Sequence, residues 1–100
     1  MSSQDKTAAI LLKPFRREID ALDRELVALL RERAGIIRAV ASVKNKHDIP
    51  VVLQDRVDEV YQNAVRQADD EGDYVGAIYQ KIIETSCDLE KTLIKNASSS

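Results

Sequence analysis

The stretch Phe15–Val43, FRREIDALDRELVALLRERAGIIRAVASV, decides the fold. Apolar residues recur in it at alternating steps of four and three: Phe15, Ile19, Leu22, Leu26, Leu29, then Ile36, Val40 and Val43. That spacing lays a stripe along one side of an α-helix, and such a stripe must be covered. Arg33 stands where the pattern asks for another apolar residue. A guanidinium keeps its proton, so burying it alone costs several kcal/mol unless an anion meets it. That anion is either a carboxylate of the protein or an anionic guest.

Working outward, Pro14 suits a first helical turn, and nothing from there to about Lys46 breaks a helix. Gly35 is tolerated inside it, at roughly 1 kcal/mol against alanine. His47-Asp48-Ile49-Pro50 reads as a turn, because a proline disfavours helix in the residue before it. Val51 to Leu53 should be extended. A second helix is expected from about Gln54 to Ala68, with Val57, Val60, Tyr61, Ala64 and Val65 on one face. Asp69-Asp70-Glu71 with Gly72 should close it in a loop. Asp73 is then the N-cap of a third helix, about Tyr74 to Lys95, with Val75, Ile78, Tyr79, Ile82, Ile83, Leu89 and Leu93 as its apolar positions. Residues 1–12 and 96–100 read as frayed ends of one domain spanning 1–100. The fold class is all-α, with three helices and a very long first one.

The chain has 100 residues, 44% of them hydrophobic and 32% charged, which makes one small domain with a thin core. Only 4% are aromatic, and glycine and proline are scarce, as in helical proteins. A formal net charge of −2 argues against general attraction to nucleic acid or an anionic membrane. Cys87 is the single cysteine, so an internal disulfide is impossible and a reducing compartment is expected. Ala8-Ala9-Ile10-Leu11-Leu12 is too short for a signal peptide, and no stretch is long enough to span a membrane. A cytoplasmic location is expected. One cysteine and one histidine cannot build a zinc site, and no phosphate loop, triad or nucleotide fingerprint is present. No metal and no cofactor are expected.

The length of helix 1 implies a partner. About 32 residues rising 1.5 Å each give roughly 48 Å, whereas a compact chain of this size has a radius of gyration of about 13 Å. A second copy packed along the stripe is the simplest cover, so an intertwined homodimer is expected.

The cations fall into a pattern on that frame. Lys44 comes eleven residues after Arg33, which returns it to within about 20° of the same face and about 16 Å along the axis. Arg16 lies about 100° around the helix from Arg33, so it reaches an Arg33 pocket only from a partner chain. Arg56 opens helix 2, and Ser86 and Glu90 form an i, i+4 pair on helix 3. Taken singly, each has an ordinary structural reading. Arg16 can pair with Asp20, Lys44 can snorkel, and Arg33 can meet Glu84 or Glu90. Arg56 can be solvated beside Asp55, and Ser86 can bond its own backbone. Taken together, four cations around a helical core suit a small dicarboxylate, which an arginine fork grips bidentately.

FRREIDALDRELVALLRER, the lysine of VASVK, the turn IPV followed by QDR, and IIETS near the end resemble the all-helical chorismate mutases over about Phe15 to Leu93. That resemblance implies an intertwined dimer of three-helix chains and an isomerase of aromatic amino-acid biosynthesis in the shikimate pathway. The reaction is the intramolecular Claisen rearrangement of chorismate to prephenate. By the same resemblance Arg33 holds one substrate carboxylate, and Arg16 of the partner subunit holds the other. Lys44 contacts the ether oxygen and a carboxylate, Arg56 lines the site, and Ser86 helps fix the substrate. Glu90 falls where many members have a glutamine that donates to the ether oxygen. A carboxylate there repels the growing charge while a carboxylic acid donates to it, so activity should fall as pH rises. Two positions depart from the family pattern. Val57 replaces a glutamate that binds the ring hydroxyl, and Leu53 replaces another acidic residue. A valine after the arginine also occurs in the related isochorismate-pyruvate lyases, which form salicylate, although the loop between Lys44 and Arg56 has the mutase length. A mutase for aminodeoxychorismate is another alternative, and a non-catalytic helical dimerisation or regulatory module is the last.

Overall fold

The computed structural model describes residues 3–99; Met1, Ser2 and Ser100, which belong to the two expected frayed ends, lie outside the described residues. The element order is α1 (Ser3–Lys46), α2 (Gln54–Gln67), a 3-10 turn (Asp69–Glu71) and α3 (Gly72–Ser99). There is no strand among the described residues, and the fold is all-α with three helices.

Helix α1 starts earlier than the sequence suggests. It begins at Ser3, so Pro14 lies inside it rather than in its first turn. An internal proline removes one backbone hydrogen bond and crowds the turn before it. The preceding turns contain Ala8, Ala9, Leu11, Leu12 and Lys13, all strong helix formers, which favour helix on the N-terminal side of the proline. Helix α3 likewise runs past Lys95, and the Ser98 hydroxyl donates to the Ile94 carbonyl at 3.1 Å.

The chain divides after Arg33 into two units. The first is helix alone. Its stripe faces outward, with Phe15 61% exposed, Leu22 64%, Leu26 52% and Leu29 60%. No side chain between Asp5 and Leu30 is buried.

The second unit holds the end of α1, α2 and α3. Helix α1 terminates in backbone bonds from His47 to Val43 and from Ile49 to Lys44, the latter at 2.9 Å. Asp48 takes the left-handed conformation (φ 55°) that this ending needs, which aspartate tolerates better than most residues. Leu53 is extended (φ −107°, ψ 100°), and its carbonyl accepts from Arg56 and Val57 to start α2. The turn at His47–Pro50 and the span of α2 are as expected.

The connection to α3 differs from that expectation. Gly72 does not end α2. It is helical (φ −55°, ψ −41°) and is the first residue of α3, so Asp73 lies in the first turn rather than capping it. Asp69 supplies the left-handed residue instead (φ 51°). Gly72 is small for another reason: a Cβ there would lie 3.3 Å from Val65 Cγ1. One turn later, a Cβ on Gly76 would meet Tyr61 Oη at 3.1 Å and Val65 Cγ2 at 3.2 Å. Pairing of 72 with 65 and of 76 with 61 and 65 makes α2 and α3 an antiparallel, closely packed pair. The apolar core is thin: Ala41 and Ala64 are the buried hydrophobic residues, and no large side chain among the described residues is fully buried.

Candidate active site

The site is built where the end of α1 meets α3. Lys44 occupies the last turn of α1, and its ammonium reaches two acceptors from different elements. Nζ donates to the Val51 carbonyl at 2.7 Å and stands 2.8 Å from Glu90 Oε1 on α3. The Lys44 and Glu90 side chains are 13% and 6% exposed. Glu90 is the buried charged residue among the described residues, and its Oε1 lies off the direction in which the ammonium makes a good hydrogen bond. The contact is therefore charge attraction at short range, while the bond to Val51 is directional.

Ser86 lies one turn before Glu90 on α3, and its hydroxyl donates to the Ile82 carbonyl at 2.7 Å. That is the backbone-bonded arrangement common for a helical serine. Arg56 is exposed at the start of α2 and pairs with Glu59 on the next turn. Leu53 is 42% exposed at the N-cap of α2, and Val57 is half-buried one turn on. These six residues, Lys44, Leu53, Arg56, Val57, Ser86 and Glu90, all belong to the second unit. Arg16 and Arg33 belong to the first, where Arg16 is exposed and Arg33 half-buried.

Of the residues proposed from sequence, the structure joins Lys44 directly to Glu90. It turns Arg56 onto Glu59 and Glu84 onto Lys81. Both of those pairs are i, i+3 spacings legible in the sequence. The Val51 carbonyl carried no signal, because a main-chain acceptor has no residue type. A separate groove of about 220 Å³ lies beyond the pair, with Arg38, Ser42 and Asn45 on α1 facing Leu93, Ile94 and Ala97 on α3 across Ala41. His47 is exposed in the turn and Cys87 is half-buried with a free thiol. Among the described residues no helix is long and apolar enough to cross a membrane, and no three side chains gather as metal ligands.

The family described as chorismate mutase type II matches residues 15–91. The chain belongs to that family. It is 31% identical over 90 residues to a bifunctional chorismate mutase/prephenate dehydratase of Aquifex aeolicus, covering 82% of this chain and 24% of that protein. It is 32% identical over 82 residues to a 4-amino-4-deoxychorismate mutase of Streptomyces pristinaespiralis, covering 79% of this chain and 64% of that one. A second 4-amino-4-deoxychorismate mutase, from Streptomyces venezuelae, is 31% identical over 90 residues and covered to 87% on both sides. The chain thus spans 24% of the Aquifex protein's length and 64% of the S. pristinaespiralis enzyme's. No solved structure matches significantly. The chorismate mutase type II match runs from Phe15 in α1 through α2 to Lys91 in α3, so it includes every residue of the candidate site.

Proposed function

We propose that this chain rearranges chorismate to prephenate, as a homodimer in the cytoplasm, in aromatic amino-acid biosynthesis. The observation that carries the reading is the largely buried Lys44 ammonium, held between a main-chain carbonyl and a carboxylate inside a chorismate mutase type II match. The reaction breaks a C–O bond and forms a C–C bond within one molecule, with no net gain or loss of atoms. It needs no nucleophile, base or metal. It needs the flexible substrate folded into its reactive conformer, and donors aimed at the ether oxygen where negative charge grows. Arg33 and Arg16 of the partner subunit hold the two carboxylates, and Lys44, held against Glu90, addresses the ether oxygen. Arg56 and Ser86 complete the substrate's surroundings, with Arg56 leaving Glu59 to do so. The outward apolar stripe of α1 supports the dimer, because a second copy would cover it.

One other reading has support of its own. Val57 and Leu53 make the wall apolar where the family's acidic residues meet the ring hydroxyl, and two of the relatives are named 4-amino-4-deoxychorismate mutases. The same rearrangement of the amino analogue is therefore the second proposal. Purified protein incubated separately with chorismate, 4-amino-4-deoxychorismate and isochorismate decides among them. Prephenate from the first supports the main reading, and turnover confined to the second supports the alternative. Salicylate with pyruvate from the third identifies a lyase, and no turnover of any leaves a non-catalytic helical module.

A further inference from the structure

Lys44 is bonded to the α1–α2 turn at both ends of its own structure. Its carbonyl accepts from the Ile49 amide at 2.9 Å, and its ammonium donates to the Val51 carbonyl at 2.7 Å. The turn between is held by a left-handed Asp48 and by Pro50, whose ring fixes one backbone angle. An ammonium has three donors. One is committed to Val51, while Glu90 attracts the group without a well-directed bond. Lysine is a point charge on a flexible stem, so it stabilises a developing charge well only when something fixes where it points.

We propose that the Val51 carbonyl, set by Pro50, is the positioning group that aims the Lys44 ammonium, and that it acts on the rate of the chemical step rather than on substrate binding. The inference rests on the proposed mutase reading for its kinetic part. A swinging ammonium still attracts a dicarboxylate, because that attraction has little direction. The same ammonium loses its advantage at the ether oxygen, where placement matters. Val51 and Pro50 are therefore positioning residues and Lys44 the catalytic one.

The test replaces Val52 by its α-hydroxy acid in the full chain, turning the Val51–Val52 amide into an ester. The carbonyl stays in place but accepts more weakly, and the isopropyl side chain at position 52 is retained, so no side-chain packing is disturbed. Pro50→Gly is the companion variant. Two readouts are taken: steady-state kinetics, and the order of the Lys44 ammonium by nitrogen-15 relaxation. The expected result is lower ammonium order in both variants, with kcat down about tenfold and KM within about twofold. Unchanged ammonium order in the ester overturns the inference whatever the activity. So does lower order with unchanged kcat, or a loss appearing as higher KM alone. If the unaltered protein turns over none of the three substrates, the functional reading fails. The relaxation readout still decides whether Val51 orders Lys44.

Discussion

Lys44 Nζ and Glu90 Oε1 lie 2.8 Å apart between the end of α1 and α3, with both side chains almost wholly out of water. Two charges brought in from solvent lose hydration that their mutual attraction only partly returns. Removing one partner is worse, since the other is left buried without a counter-charge. Lys44→Met should therefore lower unfolding stability by about 3 kcal/mol. Lys44→Met combined with Glu90→Leu should recover most of that loss and still show no turnover. Urea unfolding of the single and double variants, run beside the turnover assay, checks both halves. A double variant as unstable as the single would mean that the pair's charges are not what the interior resists.

The shared-site proposal makes a mixing prediction. Arg33→Ala and Arg16→Ala should each be folded, dimeric and inactive alone. If Arg16 serves the partner's pocket, a mixed dimer has one site with both changes and one with neither. Random exchange of equal amounts should then restore about a quarter of full activity, half the dimers being mixed with one good site each. No recovery after exchange would place both arginines in the pocket of their own chain.

Packing of α2 on α3 depends on the absence of a side chain at Gly76. A first carbon there already crowds Tyr61 Oη at 3.1 Å and Val65 Cγ2 at 3.2 Å. Valine adds two more methyl groups in a place with no room, so Gly76→Val should destabilise by about 2 kcal/mol through overpacking, beyond any change in helix propensity. Thermal unfolding measures it. A variant of unaltered stability would show that the two helices can separate at this point without cost.

The sequence carried the helices well where periodicity or turn chemistry marked them. The α1 end at Lys46, the turn before Pro50 and the start of α2 at Gln54 all follow from local residue types. It misled where a residue had two uses. Pro14 read as a helix start, although good helix formers on its N-terminal side let the helix continue through it. Gly72 read as a helix end, although its smallness serves contact with Val65 rather than a left-handed angle. Helical spacing picked out Lys44 and Glu90 separately, and the family resemblance gave each a role. Their contact depends on how α3 crosses the end of α1, a tertiary relationship that spacing along one helix does not encode. The third member, the Val51 carbonyl, belongs to the backbone and is invisible to any reading of residue types.

The outward face of α1 is a long apolar surface. Leu22 is 64% exposed and Leu26 52%, in a row that also includes Phe15 and Ile19. Apolar groups in such a contiguous line gain by meeting another surface, at about 25 cal/mol for each Å² withdrawn from water. If the second surface is another copy of the same stripe, a charge on it is introduced on both sides at once, and the two like charges face each other across a dry contact. Leu26→Glu should then give monomers in sedimentation at concentrations where the unaltered protein is a dimer. Turnover should disappear with the dimer, because Arg16 would no longer reach the partner's pocket. Unaltered protein should in addition show a melting temperature that rises with its concentration, as two-chain folding requires. Leu26→Glu remaining dimeric and active would mean that the stripe is covered by something other than its own twin.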